Sequence, residues 1–275
     1  METLINLGIA AAYSAVVVLW MIAARAITGL MFRPAGVQRM RDEANLALAL
    51  RHAGMYLAIA IGLTAAFRDG LRGFWPDLAA FVGDGAMVVA ALIVAQKVND
   101  WCIVPRVNND SAVAAGNTAV GLTEFGSYVA TGLIASVSFS DGDIGWQTAL
   151  VFFALGQIAL LAVFWVQELL LPGSFVTEVG RGSTGAGVAV AGVLIALGII
   201  LRQSIAGPFL GWQASLTGFG LYAAVGIVLL TIFQEVFNSC LVRRLRIADR
   251  YHNLATSSVV ACGQVGIAVV ISALM

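Results

Sequence analysis

Apolar runs of about twenty residues recur along the whole of this chain, and they limit its fold more than any other feature. At 1.5 Å of rise per residue such a run matches a hydrocarbon layer of roughly 30 Å. Eight are readable, near 4–24, 45–67, 78–104, 112–137, 146–171, 183–204, 213–239 and 253–274. The longest polar stretch between them, Arg25 to Asn45, spans only about 20 residues, a length that leaves no room for a soluble catalytic domain. Composition agrees: 60% of residues are hydrophobic and 11% charged, against roughly 25% charged in soluble domains. The expected fold is therefore an all-α integral membrane protein with eight transmembrane helices, and its first partner is the lipid bilayer.

The opening residues, Met1-Glu2-Thr3, lack the basic region of a secretory signal, so the first span is expected to stay in the mature protein. Of the fifteen Lys and Arg residues, twelve fall in or beside the connections after spans 1, 3, 5 and 7. These are Arg25, Arg33, Arg39, Arg41, Arg51, Lys97, Arg106, Arg181, Arg243, Arg244, Arg246 and Arg250. Only Arg68, Arg72 and Arg202 lie on the other side. That bias predicts cytoplasmic odd-to-even connections and both termini in the periplasm or outside. The balanced net charge gives no reason to expect a nucleic-acid partner. Cys102, Cys240 and Cys262 lack CxxC spacing and read as buried structural thiols, with neither a metal site nor a cofactor implied. Trp75, Trp101, Trp146 and Trp212 fall near span boundaries and read as interfacial anchors.

The chain also resembles itself. The string from Gln96 to Arg106 returns 138 residues later from Gln234 to Arg244, sharing its Gln, Cys and Arg positions. The same register pairs Gly54 with Gly192, Ala58 with Ala196 and Gly73 with Gly211. Each unit has an even number of spans, so the reading is two tandem parallel four-helix repeats, 1–140 and 141–275, each of two helical hairpins. A finer pattern marks the even spans. Each begins with a polar residue (Asn45, Asn117, Ser183, Asn253) and carries small residues nine and thirteen positions on. The pairs are Gly54 and Ala58, Gly126 and Ala130, Gly192 and Ala196, and Cys262 and Gly266. Small residues four apart let helix backbones approach closely in lipid, so the even spans are expected to form the inner layer. The polar starts read as helix N-caps.

The segments Asn45-Leu-Ala-Leu-Ala-Leu-Arg-His-Ala-Gly54 and Asn117-Thr-Ala-Val-Gly-Leu-Thr-Glu-Phe-Gly126 resemble the signature of the YjfL-like bacterial inner-membrane proteins, a domain of unknown function numbered three hundred and fifty. Typical members are similar to one half of this chain, which would make it a doubled version. Ser183, Val190 and Val260 depart from the pattern in the second half. The resemblance implies a cell-membrane location and association with membrane-stress proteins of the phage-shock type. It supplies no established activity.

Ionisable groups at membrane depth are costly, so their positions carry most of the functional information. His52 and Glu124 stand seven residues into their spans, and Lys97 and Glu235 approach the same level from the opposite direction. The expected layer comprises Arg51, His52, Gln96, Lys97, Glu124, Gln234 and Glu235. One reading pairs Glu124 with His52 or Arg51, and Glu235 with Lys97, to hold the halves in register. The other makes His52 and Glu124 a protonatable gate or cation site. Asp84 either extends polarity into the outer half of the third span, or that span starts later and Asp84 is solvated with Asp77. His252 reads as a loop residue.

Two functions compete at this stage. One is a carrier or channel for a small ion or solute, with its polar layer at the seam between repeats. The other is a non-catalytic scaffold that recruits a cytoplasmic partner through the basic loops near Arg33–Arg41 and Arg243–Arg250. An enzyme is not expected, since no HExxH, GxSxG or paired catalytic aspartates occur. Either function is compatible with a homo-oligomer.

Overall fold

The computed structural model describes residues 2–31, 44–67, 73–105, 107–139, 145–170, 174–242 and 253–275. Arg33, Arg39, Arg41, Arg68, Arg72, Arg106, Arg243, Arg244, Arg246, Arg250 and His252 lie outside these residues. The helices are α1 (Glu2–Met31), α2 (Leu46–Leu63), α3 (Phe74–Ile103), α4 (Asn109–Ala114), α5 (Thr118–Ser138), α6 (Trp146–Leu170), α7 (Phe175–Gly180), α8 (Thr184–Ile205), α9 (Trp212–Phe237) and α10 (Leu254–Leu274). No strand occurs among the described residues. Eight helices, all but the short α4 and α7, are long and apolar enough to cross a membrane.

Three boundaries differ from the sequence expectation. The first span runs on to Met31 rather than ending near 24. The fourth span begins at Thr118 rather than near 112, because Asn108 caps a separate short helix, α4, and Gly116 then turns the chain at φ 85° before Asn117 caps α5. The third span begins earlier, at Phe74, so Asp77 is buried in its first turn and Asp84 sits half-buried two turns further in. The later start that would have left both aspartates solvated is not what the chain adopts.

Each even span starts with the same local device. Asn45 Oδ1 accepts from Leu48 N at 3.0 Å, Asn117 Oδ1 from Val120 N at 3.2 Å, Ser183 Oγ from Ala186 N at 3.4 Å, and Asn253 Oδ1 from Ala255 N at 3.0 Å. These bonds satisfy backbone donors that the first helical turn cannot. The asparagines do more than cap. Asn45 Nδ2 donates to Val113 O at 2.9 Å and Asn117 Nδ2 to Val179 O at 3.4 Å, so each start is tied to the short helix preceding the next even span.

The even spans line up as one row, with α2 along α5, α5 along α8, and α8 along α10. Glycines set the spacing. A Cβ added at Gly126 would lie 2.5 Å from Ala191 Cα, and one at Gly132 would lie 2.7 Å from Ala58 Cα. Contacts recur in register along the row: Gly121 on Ala47 and Gly187 on Ala119, Gly132 on Ala58 and Gly198 on Ala130, then Gly54 on Phe125, Gly126 on Ala191 and Gly192 on Ala261. Contact positions rise together along both partners, so the row helices run parallel. The remaining long helices lie against the joints. α3 packs on α2 and α5, α6 on α5 and α8, and α9 on α8 and α10. Burial follows: 78% of the membrane-length window is buried in α5 and in α8, against 11% in α1 and 17% in α9.

Candidate functional site

The polar side chains converge where α2, α3 and α5 meet beside α4. Glu124, 1% exposed on α5, receives two of the three nitrogen arms of the Arg51 guanidinium from α2: Nε donates to Oε2, and Nη2 to Oε1 at 2.5 Å. The third arm, Nη1, donates to Asp110 Oδ1 on α4 at 2.9 Å. Lys97 Nζ on α3 lies 3.7 Å from Asp110 Oδ2. Charge-assisted bonds of this two-pronged kind are the strong ones, and one partner left alone at this depth would be an uncompensated charge. The side chain of Asp110 is 48% exposed and that of Arg51 12%, so the ion pairs grade from an open mouth to a closed interior.

Beyond the ion pairs, hydrogen-bonding side chains continue along α5. Gln96 Nε2 donates to Asp100 Oδ1 at 2.8 Å, and Ser127 Oγ to Gln96 Oε1 at 3.3 Å. Asn99 Nδ2 donates to Ser127 Oγ at 2.9 Å and Thr131 Oγ1 at 3.2 Å, while Thr131 gives its hydroxyl proton to Ser127 O at 2.8 Å; Gln157 Oε1 on α6 stands 3.4 Å from Thr131 Oγ1 and 3.5 Å from Asn99 Nδ2. Asn99, Ser127, Thr131 and Gln157 are all buried. From Glu124 to Thr131 is two turns of α5, about 10 Å of helix rise. Buried amides ordinarily find partners, yet Asn99 Oδ1 and Gln157 Nε2 have none among the described residues. With its acids ionised the cluster holds three carboxylates, Asp100, Asp110 and Glu124, against two cations, Arg51 and Lys97. No group of His, Cys, Asp and Glu suited to a metal ion occurs among the described residues.

The sequence candidates divide sharply. Arg51, Gln96, Lys97 and Glu124 come together. His52 does not join them: its ring is half-buried, and Nδ1–H donates to Leu48 O at 2.8 Å on its own helix. Consecutive helical residues point about 100° apart, so α2 can aim Arg51 or His52 at Glu124, but not both. Glu235 is exposed and Gln234 buried on α9, which packs on α8 and α10, whereas Lys97 stands on α3 among α1, α2, α5 and α6. The expected Glu235–Lys97 pairing is thus replaced by Lys97–Asp110. Asp84 lies half-buried on α3, twelve residues before Gln96. Cys240 and Cys262 are exposed rather than buried, and Cys102 is intermediate, because an outward face in an apolar solvent accepts a thiol as readily as a core does.

Sequence reasoning missed Asp110, Asp100, Asn99, Ser127, Thr131 and Gln157. The available signal was the Asn108 cap with Asp110 two residues later, which marks a separate short helix, and the spacing of Ser127 and Thr131 on the Glu124 face.

Comparison with known families settles what kind of chain this is. The family model described as Domain of Unknown Function (DUF350) matches twice, over residues 2–139 and 143–275. The chain belongs to the DUF350 family. The break between its two DUF350 matches falls between α5 and α6, so the α5–α8 joint connects the matched segments. No curated protein and no solved structure matches the chain.

Proposed function

We propose that this DUF350 protein is a membrane conduit for protons or small cations, gated by the Arg51–Glu124–Asp110 ion pairs. The carrying observation is the succession of polar side chains along one face of α5, Glu124, Ser127 and Thr131, which leads from the ion pairs at the half-exposed Asp110 to the buried amide of Gln157. Polar groups at such depth are costly in lipid, and a line of them beside a paired carboxylate is how ion paths are built. The unpartnered Asn99 Oδ1 and Gln157 Nε2 support the same reading, since each keeps a hydrogen-bonding capacity that a water or hydrated ion on this path would use. An excess of one carboxylate favours cations over anions in the mouth. A gate then opens when Arg51 releases Glu124 and keeps Asp110.

In this reading the two DUF350 segments are tandem four-helix repeats running parallel, in the cytoplasmic membrane of a bacterium, with both termini on the outer side and Asp110 facing the cytoplasm. The Lys and Arg distribution supports that orientation. The second segment carries the row of helices without the charges, since α8 places Val190 where α5 has Glu124. The conduit therefore belongs to the first segment and the α5–α6 boundary.

The test is flux in proteoliposomes. Wild type should pass protons or small cations slowly, and Glu124→Gln, which weakens the grip of Arg51, should pass them faster. Equal and negligible flux in both would defeat the proposal.

A further inference from the structure

The row of parallel helices is built from one joint used three times, and both of its ends are unfinished. At one end α10 exposes Ala255, Cys262 and Gly266, the positions that on α2 are Ala47, Gly54 and Ala58 and there meet α5. A Cβ at Gly266 would find no atom of the described residues within 4 Å. At the other end α2 leaves Ala53 exposed and Ala49 and Ala60 partly so, the positions that on α5 are Phe125, Gly121 and Gly132 and there meet α2.

The outer layer is unfinished in the same sense. α3, α6 and α9 each lie across a joint and touch two row helices, whereas α1 packs on α2 and on α3. It is the least buried of the membrane-length helices and exposes Leu7, Val18, Leu19, Ile22 and Ile27. Beside α10, where the next outer helix of the series would lie, α9 and α10 enclose an apolar groove of about 830 Å³ lined by Leu221, Tyr222, Phe233, Phe237, Gly266 and Val270.

We infer that a second copy of this chain docks head to tail, its α2 continuing the row against α10 and its α1 filling the α9–α10 groove. The α5–α8 joint already connects two DUF350 segments in this manner, so the new contact extends an interface the chain uses internally. The recurring register fixes the pairing: Cys262 faces Ala53 of the second copy, and Gly266 faces Ala60. Ala255 faces Ala49, which stands where α5 and α8 have Gly121 and Gly187. Two methyl groups meet there, so the joint is slightly wider at that end and closest at Gly266, where one partner is still glycine. Close backbone approach at small residues is what holds helices together in lipid. Because each copy presents two different faces, the association propagates into a ring or a filament rather than stopping at two. The inference is independent of any ion flux.

The experiment is disulfide trapping in native membranes. In a Cys102→Ala, Cys240→Ala background, native Cys262 with Ala53→Cys should give a ladder of dimers, trimers and larger species on mild oxidation. Cys262 alone, and Ala53→Cys with Cys262→Ala, should give none. Adding Gly266→Phe should abolish the ladder while the protein remains a folded monomer by size exclusion, since a Cβ at Gly266 meets no atom of the described residues within 4 Å. Absence of the ladder, or dimers formed by Cys262 alone through a symmetric α10 contact, would overturn the inference.

Discussion

Arg51 and Glu124, seventy-three residues apart in sequence, meet through two nitrogens on two oxygens, with the carboxylate 1% exposed. This pair ties α2 to α5 and sits at the inner edge of the cluster's mouth. Removing one partner leaves a charge in a place where water cannot replace it. Arg51→Ala should therefore destabilise the protein by about 3–5 kcal/mol, whereas Arg51→Met with Glu124→Met should come close to wild type. Unfolding of the purified protein in a mild detergent distinguishes these outcomes; equal losses in the single and double variants would contradict the assignment.

Asn45 performs two tasks that substitution can separate. Asn45→Ala loses both the cap on α2 and the bond to Val113 O, with an expected cost of about 1.5–2.5 kcal/mol. Asn45→Ser keeps the cap and loses only the cross-link, at about 1 kcal/mol. Ser183 already represents that arrangement at the start of α8. Identical unfolding midpoints for the two variants would show that Nδ2 contributes nothing.

Gly126 lies where α5 meets α8, and an added Cβ would stand 2.5 Å from a backbone atom of Ala191. Gly126→Val should push the two helices apart and cost about 1–3 kcal/mol or more, while Gly83→Val, on an open face of α3, should cost under about 1 kcal/mol. Comparing their thermal midpoints tests whether glycine sets the row spacing.

Glu168 is buried at the end of α6 and accepts from Ser174 Oγ at 2.6 Å, Phe175 N at 3.1 Å and Val176 N at 3.3 Å, capping α7. Glu168→Ala should leave those donors unmet and cost about 1–3 kcal/mol, seen as faster hydrogen exchange at Phe175 and Val176. Unchanged exchange there would remove α6 as the support of α7.

Much of the fold could be read from the sequence because lipid imposes simple requirements. A membrane-length helix needs a long apolar run, which Leu46–Ala66 or Thr184–Ile205 displays plainly, and helices packed tightly need small residues one turn apart, as at Gly126 and Ala130. The site was only partly legible. Depth along a span follows from counting, which places Arg51, Lys97 and Glu124 at one level. Azimuth does not, because neither α2 nor α9 has a polar stripe to fix its rotation, so His52 and Glu235 looked equivalent to their neighbours. Asp110 was hidden for a different reason: α4 is six residues long and polar at its start, and it merges by composition into the apolar run that follows. Asn99, Ser127 and Thr131 carry no charge, so only the convergence of Ser127 and Thr131 on Asn99 beside Gln157 distinguishes them.

The conduit stands or falls on the inner end of the polar line, away from the ion pairs. Asn99→Leu with Gln157→Leu removes the amides that carry the unpartnered Oδ1 and Nε2 and leaves Arg51, Asp110 and Glu124 untouched. Cation and proton flux should be measured in proteoliposomes in the Glu124→Gln background, where the gate is loosened. The account predicts that the leucine pair abolishes flux while the protein stays folded and correctly inserted. Flux undiminished by those substitutions would contradict it.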